Sequence, residues 1–146
     1  MNFNKYMKII IASDHGGFTA KEIIFKHLTS QGHSVSDIGC HTEESVDYPS
    51  FSHLLCSRLE SYDLGILICG SGQGMAMSAN KHKGVRAALC WSKDIAKLSR
   101  EHNNANVLCL PGRFLTSDEL VEIVDTFLST QFEGGRHEKR VSKIDI

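Results

Sequence analysis

Short, nearly uninterrupted apolar runs constrain this chain more than any other feature. Lys8 to Ser13 (KIIIAS), Leu64 to Cys69 (LGILIC), Val85 to Cys90 (VRAALC) and Val107 to Leu110 (VLCL) are all β-rich. The first lacks the apolar–polar alternation of a half-exposed strand and reads as a strand covered on both faces. Val35 to Ile38 is a weaker fifth run. Amphipathic segments lie between these runs. Ala20, Ile23, Ile24, His27 and Leu28 recur at helical spacing, and Gly32 stops them. Pro49 opens a segment with Phe51, Leu54, Leu55 and Leu59 on one face. A third helix follows the glycine-rich stretch at 70–74 and runs to about Lys81. Ser92 is placed to cap a fourth, whose Ile95, Leu98 and His102 share a face. Ser117 begins a fifth, with Leu120, Ile123, Val124, Phe127 and Leu128 in its stripe. Beyond Gly134-Gly135, a charged tail has room for one or two more turns.

Strands alternating with helices predict an α/β fold: a five-stranded parallel sheet with helices on both faces. Right-handed crossovers would put every strand's C-terminal end on one edge, where such sheets bind ligands. That edge collects Asp14-His15-Gly16-Gly17, Gly39-Cys40, Cys69 to Gly74, Trp91-Ser92 and Pro111-Gly112-Arg113.

A length of 146 residues suits a single domain over 1–146. The net charge of −1 gives no global pull toward nucleic acid or an anionic membrane. The apolar runs are too short to span a bilayer, and no apolar h-region of signal-peptide length follows Lys5. A cytoplasmic protein is expected. Its five cysteines (Cys40, Cys56, Cys69, Cys90, Cys109) include no C-x-x-C pair, so free thiols are expected rather than a zinc knuckle or redox dithiol. Cys90 and Cys109, inside apolar runs, read as small buried hydrophobes.

The stretch Cys69-Gly70-Ser71-Gly72-Gln73-Gly74 stands apart. Three glycines allow a tight turn and close approach of backbone to a ligand. A following helix start adds unpaired N–H groups and a positive dipole end, which together make an anion cradle. The same string also serves as a plain strand-to-helix turn. It is one residue short of a dinucleotide fingerprint and lacks the Lys-Ser/Thr ending of a Walker loop. Met75 stands where a cysteine phosphatase needs its arginine. Helix N-termini favour a thiolate over a thiol, so Cys69 reads either as a reactive base or nucleophile or as a strand-end packing residue. Ser71 offers a hydroxyl that both gives and takes a proton. A base, a proton relay and a ring of amides suit proton abstraction next to a carbonyl through an enediolate.

Other polar groups also carry two readings. Asp14 and His15 form either a helix cap and turn or a hydrogen-bonding pair at the ligand edge. His102, followed by Asn103, is either a packing residue or an acid–base group. Arg136 and Arg140 are four apart, so on a helix they share a face. With His137 beside them they fit a phosphate, or else form a solvated basic end at 134–146. Arg113 is a candidate to join them.

In this order the pieces resemble the ribose-5-phosphate isomerase B family, which includes isomerases of allose and galactose phosphates. The resemblance runs from Met7 to about Val141. It rests on SDHGG (13–17), DYP (47–49), GILICGSGQGM (65–75), NK..G.RAA (80–88), LSREHNNANVL (98–108) and EGGRHEKRV (133–141). It implies a Rossmann-like three-layer α/β/α fold and an aldose–ketose isomerase that uses neither metal nor nucleotide. It further implies Cys69 as the base, Ser71 as its helper and His102 as the group that opens the sugar ring. The amides of Gly70, Gly72, Gln73 and Gly74 would hold the enediolate. Asp14, His15 and Asn103 would bind the sugar, and Arg113, Arg136 and Arg140, with His137, the phosphate. Sites shared between two subunits of a homodimer, or of a dimer of dimers, are implied as well. Residues 1–6 look like an extension outside the family pattern. The expected substrate pair is ribose 5-phosphate and ribulose 5-phosphate. Alternatives are a six-carbon sugar phosphate (allose 6-phosphate or galactose 6-phosphate), a non-catalytic phosphate-binding module, or a thiol sensor built on Cys69.

Overall fold

The computed structural model describes residues 5–146. Of the expected N-terminal extension, residues 1–4 lie outside this range. Five parallel strands form one sheet in the order β2-β1-β3-β5-β4: β1 (Lys8–Ser13), β2 (Ser34–Asp37), β3 (Leu64–Cys69), β4 (Ala87–Leu89) and β5 (Val107–Pro111). Helices α1 (Phe18–Ser30), α2 (Tyr48–Arg58), α3 (Gln73–Ala79), α4 (Lys93–Asn103), α5 (Ser117–Ser129) and α6 (Arg136–Val141) complete the chain. The expected α/β architecture is present. No helix among the described residues is long and apolar enough to cross a membrane.

The apolar runs are continuous because both sheet faces are covered. Ile9 and Ile11 point into one core with Ile24 and Leu28 of α1, Ala96 of α4, and Ile123, Val124 and Phe127 of α5. Ile10 and Ala12 point into the other, with Leu55 of α2 and Met75 and Ala79 of α3. All strands run the same way, but the direction in which successive strands are added to the sheet reverses between β1 and β3. The loop after β1 leads to α1 on the first face, and the loop after β3 leads to α3 on the second. A crevice opens at such a reversal.

Local chemistry moved several boundaries. β4 is shorter than Val85 to Cys90 because side-chain amides take its backbone bonds. Asn80 Oδ1 accepts from Ala87 N at 2.8 Å, Asn80 Nδ2 donates to Ala87 O at 2.9 Å, and Asn106 Oδ1 accepts from Arg86 N at 2.7 Å. α5 begins at Ser117 as expected, capped by Thr116 through a reciprocal box with Glu119. In α4 the expected apolar face is rotated. Ala96 and Ser99 are buried while Leu98 is exposed, since small residues let the helix lie close to the sheet.

One burial contradicts simple patterning. Lys21 is fully buried, with Nζ 2.6 Å from Asp37 Oδ2 and 3.0 Å from Glu22 Oε1. The other oxygen of Asp37 accepts from Gly39 N at 2.9 Å, so the pair ties α1 to the end of β2. Replacing Lys21 with methionine fills the space but leaves the Asp37 carboxylate unpaired. Lys21→Met is expected to cost about 3–5 kcal/mol in urea denaturation. The double variant Lys21→Met/Asp37→Asn should recover about 1 kcal/mol or more of that. Equal stabilities for wild type and Lys21→Met would show that the pair contributes nothing.

Candidate active site

Three loops meet at the C-terminal edge of the central strands, and the main chain stitches them together. Asp14 N donates to Ile68 O (3.2 Å), Gly112 N to Cys69 O (2.9 Å) and Arg113 N to Gly70 O (3.1 Å). A Cβ on Gly17 would stand 2.4 Å from the Ile68 carbonyl oxygen, so only glycine permits this approach. Asp14 Oδ1 accepts from Gly17 N at 3.0 Å and caps the short 3-10 turn His15–Gly17. The capping reading of Asp14 therefore holds, and the same bond fixes its carboxylate at the crevice. His15 Nδ1 accepts from Val46 N at 3.2 Å, which leaves the proton on Nε2 in the neutral ring.

Cys69 ends β3 and is 5% exposed. Its sulfur belongs to the core that includes Met75 and Cys109, yet it also accepts from Gly72 N at 3.2 Å. An N–H aimed at sulfur is a partner suited to a thiolate. Gly72 has φ +77°, and a Cβ there would meet Leu89 at 2.5 Å, so the turn that delivers this amide requires glycine. Ser71 Oγ, half-exposed, accepts a long bond from Gln73 N (3.4 Å). The N–H groups of Gly70, Ser71 and Gly74 donate to no acceptor among the described residues. They form the donor ring that a developing oxyanion needs. The Arg113 side chain lies over Gly70 and Gly16, about where their Cβ atoms would be in van der Waals contact with it. A cleft of about 570 Å³ beside it is lined by His15, Gly16, Thr19, Glu43, Gly112 and Arg113, among others. Cys69 does not line this cleft; it sits behind the loop.

Two neighbours of this edge escaped the residue-level reading. The Tyr48 ring stands over Gly74, where a Cβ would come within 2.6 Å of its Cζ. The Tyr-Pro step that starts α2 was the only signal for it. Val46, which fixes the His15 tautomer through its backbone, leaves no signal at all.

The remaining candidates lie elsewhere. α4 starts at the C-terminal edge of the sheet and runs back, so His102 and Asn103, in its last turn, sit at the opposite edge from Cys69. α6 joins them there. The His102 and His137 rings stack at 4.2 Å and 13°, and His102 Nε2 is 3.5 Å from Glu133 Oε1. Desolvation and the nearby His102 and Arg136 hold His137 below its ordinary value, with the Glu133 carboxylate opposing. Arg136 and Arg140 are exposed on α6, four residues apart. Asn103 also lines a second cleft of about 610 Å³ with Lys81, Lys83 and Arg86. Arg113 does not join the α6 arginines within one chain, because it belongs to the other edge. Eight of the predicted residues thus gather with Cys69 at one edge (Asp14, His15, Gly70 to Gly74 and Arg113), and five (His102, Asn103, Arg136, His137, Arg140) gather at the far end of α4.

The model of the Ribose/Galactose Isomerase family matches residues 9–144. The chain belongs to this family. The probable ribose-5-phosphate isomerase B of Mycoplasma genitalium is 50% identical over 148 residues, covering 99% of this chain and 95% of that protein. A ribose 5-phosphate isomerase from Thermotoga maritima superposes with TM-score 0.95 at 50% identity, covering 97% of this chain and 99% of the other. The structure of the M. genitalium ribose-5-phosphate isomerase B holds bound ribulose 5-phosphate. It superposes with TM-score 0.90 at 50% identity over 94% of this chain and 93% of its own.

Three of the other thiols are held inert. Burial pushes Cys56 and Cys90 up to about 11, against weaker opposing hydrogen bonds from Ser52 and Ser99. Burial, with the neighbouring thiols adding to it, raises Cys109 well above the usual range. At about pH 8, two thiols with pKa near 11 are ionised only about one part in a thousand. Limited alkylation with iodoacetamide is therefore expected to mark Cys69 ahead of Cys56, Cys90 and Cys109, with sugar phosphate slowing the reaction. Peptide mapping that finds Cys56 or Cys90 modified first would remove the basis for a reactive Cys69.

Proposed function

We propose that the chain interconverts ribose 5-phosphate and ribulose 5-phosphate through an enediolate, with Cys69 as the base. The observation that carries this reading is the Gly72 N–H aimed at the Cys69 sulfur, next to three amides with no acceptor among the described residues. A thiolate there takes the proton from C2 and returns it to C1. The negative charge that develops on the sugar oxygens falls to the amides of Gly70, Ser71 and Gly74, preorganised by the turn. Ser71 passes the oxygen-bound proton, and Gln73 borders the same loop. Asp14 and His15 hold sugar hydroxyls, His15 donating from Nε2. The family relative with bound ribulose 5-phosphate supports the five-carbon substrate.

Cys69→Ala is expected to lose at least about 10³-fold in kcat while sugar-phosphate binding survives. Conversion of ribose 5-phosphate by that variant at wild-type rate would remove Cys69 from the chemistry. The same assay with allose 6-phosphate and galactose 6-phosphate tests the substrate. A faster six-carbon reaction would overturn the pentose assignment.

The separation of the two groups along α4 supports a site completed by a second copy of the chain. His102 of that copy opens the ring, Asn103 binds the sugar, and Arg136 and Arg140, assisted by His137, clamp the phosphate together with Arg113. Cys69→Ala and His102→Ala proteins, each inactive alone, regain activity when unfolded and refolded together. A mixed dimer then contains one intact site and one doubly damaged site, so a statistical mixture recovers about a quarter of wild-type activity. No recovery, with mixed dimers confirmed by mass spectrometry, would show that each site is built within one chain.

A further inference from the structure

The far end of α4 holds a group of side chains whose chemistry goes beyond sugar binding. His102, Glu133 and His137 each place one ligand atom within 4.8 Å of the others. The His102 Nε2–Glu133 Oε1 separation is 3.5 Å. A tetrahedral zinc ion with bonds of about 2.0–2.1 Å spaces neighbouring ligand atoms about 3.4 Å apart, so this edge already has the required length. The other two edges are no longer than 4.8 Å, a span that side-chain rotation can shorten. Glu133 N donates to Glu101 O (3.1 Å) and His137 N to Gly134 O (3.1 Å), which anchors the main chain on both sides of the group. The stacked rings, 13° from parallel, need only fan apart for their lone pairs to converge. Two imidazoles and one carboxylate suit zinc, cobalt or nickel, and fit magnesium and calcium poorly.

We propose that His102, Glu133 and His137 bind a divalent transition-metal ion, zinc first among them, and that the bound ion blocks the isomerase. The binding site stands on this geometry alone. The inhibition rests on the reading above that His102 works on the sugar, because a metal on Nε2 takes the lone pair with which His102 would move a proton. The metal here is an inhibitor and has no part in turnover.

The test uses full-length protein stripped of metal and titrated with Zn²⁺ by calorimetry, with Co²⁺ as the spectroscopic probe. One equivalent is expected, with a cobalt spectrum free of thiolate-to-metal charge transfer. Glu133→Ala should weaken binding at least about tenfold. It should make the activity that remains at least about tenfold less sensitive to Zn²⁺. Glu138→Ala, beside His137 on α6 but outside the cluster, should change neither, so a general loss of negative charge cannot mimic the result. His53→Ala addresses the exposed His53–His82 pair, whose ring nitrogens lie 2.6 Å apart. Zinc affinity unchanged by Glu133→Ala, zinc affinity lost in His53→Ala, or a thiolate band with cobalt would each overturn the site. One equivalent bound through Glu133 with no loss of activity would leave the site standing and remove His102 from the reaction.

Discussion

The structure depends on how closely the backbone after β1 approaches the backbone after β3. Gly17 sits against the Ile68 carbonyl with no room for a methyl group, and Gly112 packs 3.3 Å from the Gly17 Cα at the position a Cβ would take. Asp14 bonds across to Ile68, and Gly112 and Arg113 bond back to Cys69 and Gly70. These contacts compress three loops into one surface. Each loop alone is ordinary: a capped turn, a strand-to-helix crossover and a strand end. Held together, they bring a carboxylate, an imidazole, a guanidinium and several amides with no acceptor among the described residues to one crevice, with the Cys69 thiol behind the loop that borders it. A reaction that develops charge on neighbouring oxygens needs donors already in place when the charge appears, and rigid backbone supplies them without reorganisation.

Position along one ladder separates the Cys69 thiol from its neighbours. β3 and β5 pair with Leu67 opposite Cys109 and Cys69 opposite Pro111. Cys109 and Cys69 therefore face the same core, one at mid-sheet and one at the rim. At mid-sheet the only surroundings are apolar side chains, and burial keeps the proton on sulfur. At the rim the chain turns through Gly72 and returns an N–H to the sulfur. The same residue type is thus filler at one place and a candidate base two rungs away.

Much of this was legible from residues alone, for a definable reason. Strands covered on both faces, such as Lys8–Ser13 and Leu64–Cys69, must be apolar along their whole length, so their limits show directly in the sequence. α4 was harder. Its sheet-facing positions are Ala96 and Ser99, too small to stand out beside Leu98, which faces solvent. β4 was overextended because Asn80 and Asn106 replace strand partners with side chains, and no hydropathy pattern reports that. Lys21 was invisible as a core residue. Its burial depends on Asp37, sixteen residues away on a different element. The loop at 70–74 declared itself through its glycines. The stacking of His137 on His102, by contrast, joins α6 to α4 across a turn and follows from no local spacing.

Alternation of strand and helix also decides which candidate groups can meet. In a parallel sheet every helix returns the chain from the ligand edge to the opposite one. An 11-residue helix such as α4 is about 16 Å long, a distance no side chain spans. Groups on the loops after strands converge within one chain; groups on the last turns of helices cannot reach them. His102 and Asn103 are of the second kind, and α6 follows the end of α5 onto the same side. A chain of this architecture that uses both sets at one sugar phosphate must take the second from another molecule. Under the roles proposed for Cys69 and His102, association is then a condition of catalysis, because the two side chains stand at opposite edges of the sheet in a single copy.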